Sequence, residues 1–133
     1  MPSVIQGLVV THGALGTELV RVVESIVGPV EGLAVLSNQG RSALDLTAEL
    51  QERLAATEAG LVLFIDDYGG SCANAAQLAC RDRSGAVILC GVNLAMLLGF
   101  ITWRDTLSLE ELARRLVDKG REAIARVGTR GRD

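Results

Sequence analysis

The chain has 133 residues, 49 % of them hydrophobic but with only two Phe, one Trp and one Tyr, so one aliphatic core is expected. A net charge of −3, without a stripe of Lys and Arg, argues against a nucleic-acid partner. Three cysteines without CxxC spacing and a single histidine argue against a zinc site and predict free thiols.

The N-terminal segment MPSVIQGLVVTHG lacks the basic start and long apolar run of a signal peptide. The longest apolar window, residues 92–103, contains Asn93, Gly99 and Thr102 and is too short to span a bilayer. We therefore expect a cytoplasmic protein.

Apolar runs bounded by turn residues alternate with amphipathic stretches along the chain. These runs predict strands over residues 4–11, 32–37, 60–65 and 86–92. The amphipathic stretches and the capping patterns S-x-x-D and S-x-x-E predict helices over residues 15 to about 28, 42–54, 71 to about 80, 94–103 and 108 to about 127. Residues 1–127 are then one domain, and the polar residues 128–133 are a flexible tail.

Strands alternating with helices predict an α/β fold, a single doubly wound and mainly parallel sheet with helices on both faces. For four strands in a chain of this length we expect the flavodoxin-like order 2-1-3-4. This order makes strands 1 and 3 neighbours, and ligands bind in the crevice at the carboxyl ends of such a pair.

The only histidine, His12, follows strand 1, and Asp66 follows strand 3, so both are expected in this crevice. A carboxylate that accepts from one ring nitrogen fixes the tautomer and leaves the lone pair of the other nitrogen exposed. Neighbouring strand residues point to opposite faces, so only one of Asp66 and Asp67 reaches the ring easily. We choose Asp66.

The segment DDYGGSCAN, residues 66–74, predicts an anion site at the start of a helix. Gly69 and Gly70 allow close approach of the backbone, and Ser71 occupies the expected N-cap position. Free N–H groups and the helix dipole favour an anion there, and beside an imidazole the natural anion is a phosphoryl group. Gly13 and the backbone that follows it are a possible second set of donors.

Three segments, VVTHGALGTEL, IDDYGGSCANAA and ILCGVNLAMLL, resemble the signature segments of mannose-family enzyme IIA of the bacterial sugar phosphotransferase system. The resemblance spans most of the chain in order. It implies that His12 is phosphorylated, that Asp66 orients it, and that Thr11 and Ser71 line the phosphoryl site. No cofactor is implied.

The resemblance also implies partners. The histidine-containing phosphocarrier protein would be the donor and a IIB domain the recipient, in sugar uptake or its regulation. Since this sequence stops at residue 133, the IIB protein is expected to be separate. A homodimer is implied too, which the apolar stretch 94–103 would support, although core burial explains that stretch equally well. Peripheral association with a membrane permease is compatible with this role.

Asp67 and Cys72 depart from the pattern of many relatives, so their roles stay open. Three other functions are considered. A receiver domain would need an acidic pair after strand 1, where Thr11, His12 and Gly13 stand instead. A flavodoxin-like binding module would need stacking aromatics, and only Tyr68 is suitably placed. The phosphocarrier subunit of a dihydroxyacetone kinase would use the same chemistry with a different recipient.

Overall fold

The computed structural model describes residues 4–128 and has a four-stranded sheet with helices on both faces. The strands are β1 Gln6–Thr11, β2 Leu33–Ser37, β3 Leu61–Ile65 and β4 Ala86–Cys90. The helices are α1 Leu15–Val27, α2 Ala43–Ala55, α3 Ser71–Cys80, α4 Leu94–Trp103 and α5 Leu109–Glu122. Within these residues, no helix combines the length and apolarity needed to cross a membrane.

All three strand pairs are parallel, and the strand order is β2-β1-β3-β4. The predicted fold class and strand order are therefore confirmed. Val10 of β1 is paired with Ile65, the last residue of β3. Thr11, the last residue of β1, is therefore level with Asp66, and His12 follows at the same edge of the sheet.

Two hydrophobic layers enclose the sheet because successive strand side chains point to opposite faces. Leu8, Val10 and Leu63 pack with α2 and α3 on one face. Val9 and Phe64 pack with α1, α4 and α5 on the other. All five residues of β3 are buried, which explains why its sequence is continuously apolar rather than alternating.

Most helix boundaries agree with the sequence prediction, but α5 does not reach residue 127. The helix ends at Glu122 and its C-cap is Ala123. Ile124 and Val127 are 78 % and 91 % exposed, so they have no apolar surface to pack on. Without that packing, the periodic apolar pattern does not extend the helix. Of the predicted tail, Gly128 has no regular secondary structure, and residues 129–133 lie outside the described part.

The capping box predicted before α2 is present. The Ser42 hydroxyl accepts from the Asp45 N–H at 3.1 Å, and the Asp45 carboxylate accepts from the Ser42 N–H at 3.4 Å. β4 ends at Cys90, earlier than predicted, because Gly91 turns the backbone away with φ +81°. The N–H groups of Gly91 and Val92 both donate to the Ile65 carbonyl, which ties this turn to β3.

The apolar helix α4 lies within the core of the chain itself. Met96, Leu97 and Phe100 are buried, and Leu94, Leu98 and other apolar residues of α4 pack partly buried against the same layer. Of the two explanations of this stretch, core burial is sufficient. The homodimer therefore stays a prediction that α4 does not strengthen.

Phe64→Ala should be the most destabilising single truncation in β3. Phe64 is fully buried, and its ring contacts Phe100 edge-on with centroids 5.5 Å apart. Losing the ring and leaving a cavity should lower the free energy of unfolding by about 3–5 kcal/mol. Urea unfolding followed by circular dichroism measures this change.

The matched control is Tyr68→Ala, since Tyr68 is 83 % exposed. Removing that ring should change the free energy of unfolding by no more than about 0.5 kcal/mol. Equal losses in the two variants would contradict the assignment of Phe64 to the core.

Candidate functional site

His12 and Asp66 meet at the carboxyl ends of the two central strands. One carboxylate oxygen of Asp66, Oδ2, lies 2.9 Å from the His12 backbone nitrogen and 2.9 Å from ring atom Nδ1. The backbone bond fixes the loop, and the ring bond fixes the imidazole. The His12 side chain is 46 % exposed, whereas that of Asp66 is only 10 % exposed. A nearly buried carboxylate therefore orients a ring that is open to solvent.

The electrostatics of the pair keep Asp66 ionised. Burial alone raises the pKa of Asp66. Hydrogen bonds from the His12 backbone and ring, with the charge of a protonated ring, outweigh burial and bring that pKa below its ordinary value. Because an ionised carboxylate can only accept, Nδ1 of the neutral ring carries the proton, and Nε2 keeps its lone pair.

The start of α3 lies against the free side of the ring. The Ser71 hydroxyl is 3.3 Å from His12 Nε2 and can donate to its lone pair. A Cβ added to Gly70 would stand 3.5 Å from His12 Cε1, which shows how closely this backbone approaches the imidazole. Gly69 has φ +89°, a conformation that favours glycine and directs the chain into this approach.

Ser71 is not the N-cap residue that the sequence suggested. The N-cap is Gly70, whose backbone is extended with φ −85° and ψ −177°, and no side chain caps the helix there. Ser71 is already helical, so its hydroxyl is free to face His12 instead. The first N–H groups of α3 have no partner within the helix, as at any helix start, and they remain available donors.

Thr11 does not line the surface of the site. Its side chain is fully buried, and its hydroxyl accepts from the Gly16 N–H at 2.8 Å. The last residue of β1 points into the molecule, where Thr11 anchors the first turn of α1. The Thr11 side chain therefore stabilises the loop that carries His12, and its burial keeps it away from the surface where a ligand would bind.

Gly13 is also not a free donor. Its N–H donates to the side-chain oxygen of Asn38 at 3.2 Å, and the Leu15 N–H points to the His12 carbonyl at 3.4 Å. Gly13 has φ +56°, so it supplies the left-handed turn between β1 and α1. Asn38 also donates its own N–H to the Thr11 carbonyl at 3.1 Å. Asn38 directly follows β2, the strand that pairs with β1.

Asn38→Ala should loosen the His12 loop. The change removes the acceptor for the Gly13 N–H and should lower the free energy of unfolding by about 0.5–1.5 kcal/mol. Asn38→Asp, which keeps an acceptor oxygen, should retain more of that stability. Amide hydrogen exchange at Gly13 measures the loosening directly.

Gln39→Ala is the matched control, because Gln39 is the exposed neighbour of Asn38. It should leave exchange at Gly13 unchanged. Similar exchange rates in the Asn38→Ala variant and the original protein would show that the side-chain bond does not hold the loop.

Asp67 and Cys72, whose roles the sequence left open, differ in burial. Asp67 is exposed, as expected for the carboxylate that does not reach the ring. Cys72 is fully buried, and its sulfur lies 4.0 Å from His12 Nδ1. Burial, followed by the charge of Asp66, raises the pKa of the Cys72 thiol to about 11, although a hydrogen bond with Ser71 opposes this rise. Cys72 is thus a neutral thiol.

Comparison with known proteins agrees with this arrangement. Residues 7–117 match the family model described as the PTS system fructose IIA component, EIIA-man. The chain belongs to this family, the mannose-type IIA components of the sugar phosphotransferase system. The matched region contains both strands and both loops that form the site.

The mannose-specific EIIAB component of Escherichia coli K12 is 30 % identical over 118 residues. That alignment covers 86 % of this IIA chain but only 36 % of the relative, so the chain spans about a third of that protein. The Shigella flexneri protein of the same description matches to the same extent.

Solved IIA structures share the fold at low sequence identity. The phosphotransferase system component EIIA from Streptococcus agalactiae superposes with a TM-score of 0.85 at 21 % identity, covering 92 % of this chain and 96 % of that one. The mannose/sorbose specific IIA subunit from Enterococcus faecalis gives 0.79 at 21 % identity, covering 96 % of each chain.

Proposed function

We propose that this mannose-type IIA chain is a cytoplasmic phosphocarrier that accepts a phosphoryl group on His12 and passes it to a IIB domain. The donor in this proposal is the histidine-containing phosphocarrier protein. The observation that carries it is a 46 % exposed imidazole whose Nδ1 is held 2.9 Å from the Asp66 carboxylate, so that the other ring nitrogen, Nε2, keeps its lone pair.

The transfer follows from this geometry. The Nε2 lone pair attacks the phosphorus of the phosphorylated donor histidine, a P–N bond forms on His12, and the P–N bond of the donor breaks. The ring of His12 then carries positive charge, which the Asp66 carboxylate stabilises through the proton that stays on Nδ1. Attack by the recipient histidine reverses these changes and restores the lone pair.

The start of α3 supports the same proposal. A phosphoryl group on Nε2 would extend toward the Ser71 hydroxyl, 3.3 Å from that nitrogen. The N–H groups of the first turn and the positive end of the helix dipole would meet its oxygens. The phosphoryl-binding side of the site is therefore formed by Gly69, Gly70 and Ser71. Thr11 and Gly13 instead hold the His12 loop in place through their bonds to Gly16 and Asn38.

Membership of the IIA family argues against the receiver and flavin-binding alternatives. No acidic pair follows β1, where Thr11, His12 and Gly13 stand. The phosphocarrier subunit of a dihydroxyacetone kinase would pass the phosphoryl group to a different recipient. An experiment that identifies the recipient therefore separates the two functions.

Labelling the purified chain with a phosphorylated donor protein tests the function. Because His12 is the only histidine, phosphohistidine can form at one position only. We expect one phosphate per chain that is lost in acid and stable in alkali. Chasing with a IIB domain should then remove the label. An acid-stable phosphate, or no label at all, would contradict the proposal, and label that a IIB domain does not remove would exclude the recipient.

A further inference from the structure

Cys72 completes a cluster of metal-ligating atoms on the inner side of His12. Its sulfur, Nδ1 of His12 and a carboxylate oxygen of Asp66 all lie within 4.8 Å of one another. Within residues 4–128, this is the only group of three His, Cys, Asp or Glu side chains with such spacing. A thiolate, an imidazole and a carboxylate are the ligand types that Zn²⁺ binds in proteins.

The carboxylate of Asp66 gives a second, independent sign of a ligand. Its Oδ2 atom holds His12, but its Oδ1 atom is buried and has no hydrogen-bond partner among the described residues. The side chain is nine-tenths buried. A buried carboxylate oxygen without a partner is costly and points to a group that satisfies it, such as an ion.

The distances require only small adjustments. With bonds of about 2.0–2.3 Å to Zn²⁺, neighbouring ligands of a tetrahedral site stand about 3.2–3.8 Å apart. Coordination through Oδ1 of Asp66 satisfies the unpartnered oxygen and leaves Oδ2 to accept from the His12 backbone N–H, 2.9 Å away. The distance from His12 Nδ1 to Cys72 Sγ is 4.0 Å and must close slightly. Side-chain rotations supply such changes, and water can fill the fourth position.

The charges balance once the ion binds. The dication would be neutralised by the Asp66 carboxylate and the Cys72 thiolate, with a neutral imidazole as third ligand. Zn²⁺ binds the thiolate form of cysteine, so binding of the ion releases the proton of the Cys72 thiol.

We propose that His12, Asp66 and Cys72 form a site for Zn²⁺-like thiophilic ions, and that metal binding there prevents phosphorylation of His12. The second half rests on the proposed phosphocarrier function. The ion occupies the lone pair of Nδ1, so the ring proton moves from Nδ1 to Nε2. Nε2 then has no lone pair with which to attack phosphorus. The sequence argued against zinc because its three cysteines lack CxxC spacing and it has a single histidine. The strand order nevertheless brings three ligand side chains together.

Cobalt(II) chloride tests the metal site without any reference to phosphorylation. We expect a thiolate-to-cobalt absorption band in the near ultraviolet for the original chain. Cys72→Ser should lose the band, and Asp66→Asn should weaken cobalt affinity by at least about tenfold. Cys80→Ser is the matched control and should keep the band, because Cys80 lies outside the cluster. No band in the original chain, or an equal band in Cys72→Ser, would overturn the site.

The competition is tested separately, with phosphorylated donor freed of its kinase and of Mg²⁺. The initial labelling rate of each variant is measured in EDTA and in zinc chloride, and the ratio of the two rates is compared. Saturating zinc should slow the phosphoryl labelling of the original chain at least about tenfold. For Cys72→Ser the labelling rates in zinc and in EDTA should be nearly equal. Magnesium chloride should not change the labelling rate of either protein. Undiminished labelling in zinc would overturn the competition. Failure to label in EDTA would overturn the phosphocarrier function instead, and the cobalt spectrum would still decide the metal site.

Discussion

Replacing His12 with alanine is expected to abolish phosphoryl labelling of the chain. His12 supplies the only imidazole, so the variant has no nitrogen that can form the P–N bond. The loss should be complete rather than partial, because neither Ser71 nor the neutral Cys72 thiol is activated by a base in the absence of the ring. Transfer of radioactive phosphate from the donor protein, measured after alkaline gel electrophoresis, checks this result.

The stability of the His12→Ala variant is the control. The side chain is 46 % exposed, and the backbone N–H that bonds Asp66 is retained, so the fold should persist. Circular dichroism should show the same helix content in both proteins. Residual labelling of a folded His12→Ala protein would place the phosphate on another residue and refute the proposed role of His12.

Asp66→Asn is expected to slow phosphoryl transfer by roughly 10²- to 10⁴-fold, because the carboxylate both orients the ring and stabilises its positive charge. The amide can still accept the backbone bond from His12, but it lacks the negative charge that stabilises the charged ring. If the amide turns its NH₂ group toward Nδ1, the proton moves to Nε2 and the lone pair is lost as well. Rapid-quench measurement of the transfer rate checks this expectation.

One spectroscopic readout and one control variant distinguish this positioning role from a merely structural one. Nitrogen-15 NMR of the single imidazole should report the proton on Nδ1 in the original chain and a changed tautomer population in Asp66→Asn. Asp67→Asn, the matched control, removes an adjacent exposed carboxylate and should change the rate less than about threefold. A larger effect from Asp67→Asn than from Asp66→Asn would reverse the assignment of the two carboxylates.

The pH dependence of stability gives an additional measurement for Asp66. Because its pKa is lowered in the folded chain, the pair contributes stability that is fully present above the ordinary pKa of Asp. That contribution is lost as the pH falls through the lower folded pKa. The difference in unfolding free energy between the original chain and Asp66→Asn should therefore be largest at neutral pH and shrink in acid.

The sequence predicts much of this fold because its signals are local and mutually consistent. Continuous apolar runs predict all four strands, and the capping box of Ser42 and Asp45 marks the start of α2. The end of α5 was predicted incorrectly, since helical periodicity continues to Val127 while the surface that would bury it does not. Whether residues such as Ile124 and Val127 find apolar neighbours depends on the whole fold, and a short stretch of sequence does not show this.

The same distinction applies to the site. The strand order placed His12 beside Asp66, and the alternation of strand side chains separated Asp66 from Asp67. The burial of Thr11 was missed, although it ends a strand that is covered on both faces and buried from Gly7 onward. The acceptor for Gly13 was not foreseen either, because it comes from Asn38, which lies 25 residues away in the sequence. Bonds between distant loops have no periodic signature.

The exposure of one ring edge has a kinetic consequence for the proposed carrier. Nδ1 is bonded to the Asp66 carboxylate, so the phosphoryl group both arrives and leaves through Nε2. Donor and recipient must then occupy the same surface in turn, and no complex of all three proteins can support transfer. Steady-state rates measured against both partner concentrations should accordingly show the parallel double-reciprocal lines of a ping-pong exchange. At high concentration each partner should also inhibit, the donor by binding the phosphorylated carrier and the recipient by binding the unphosphorylated carrier.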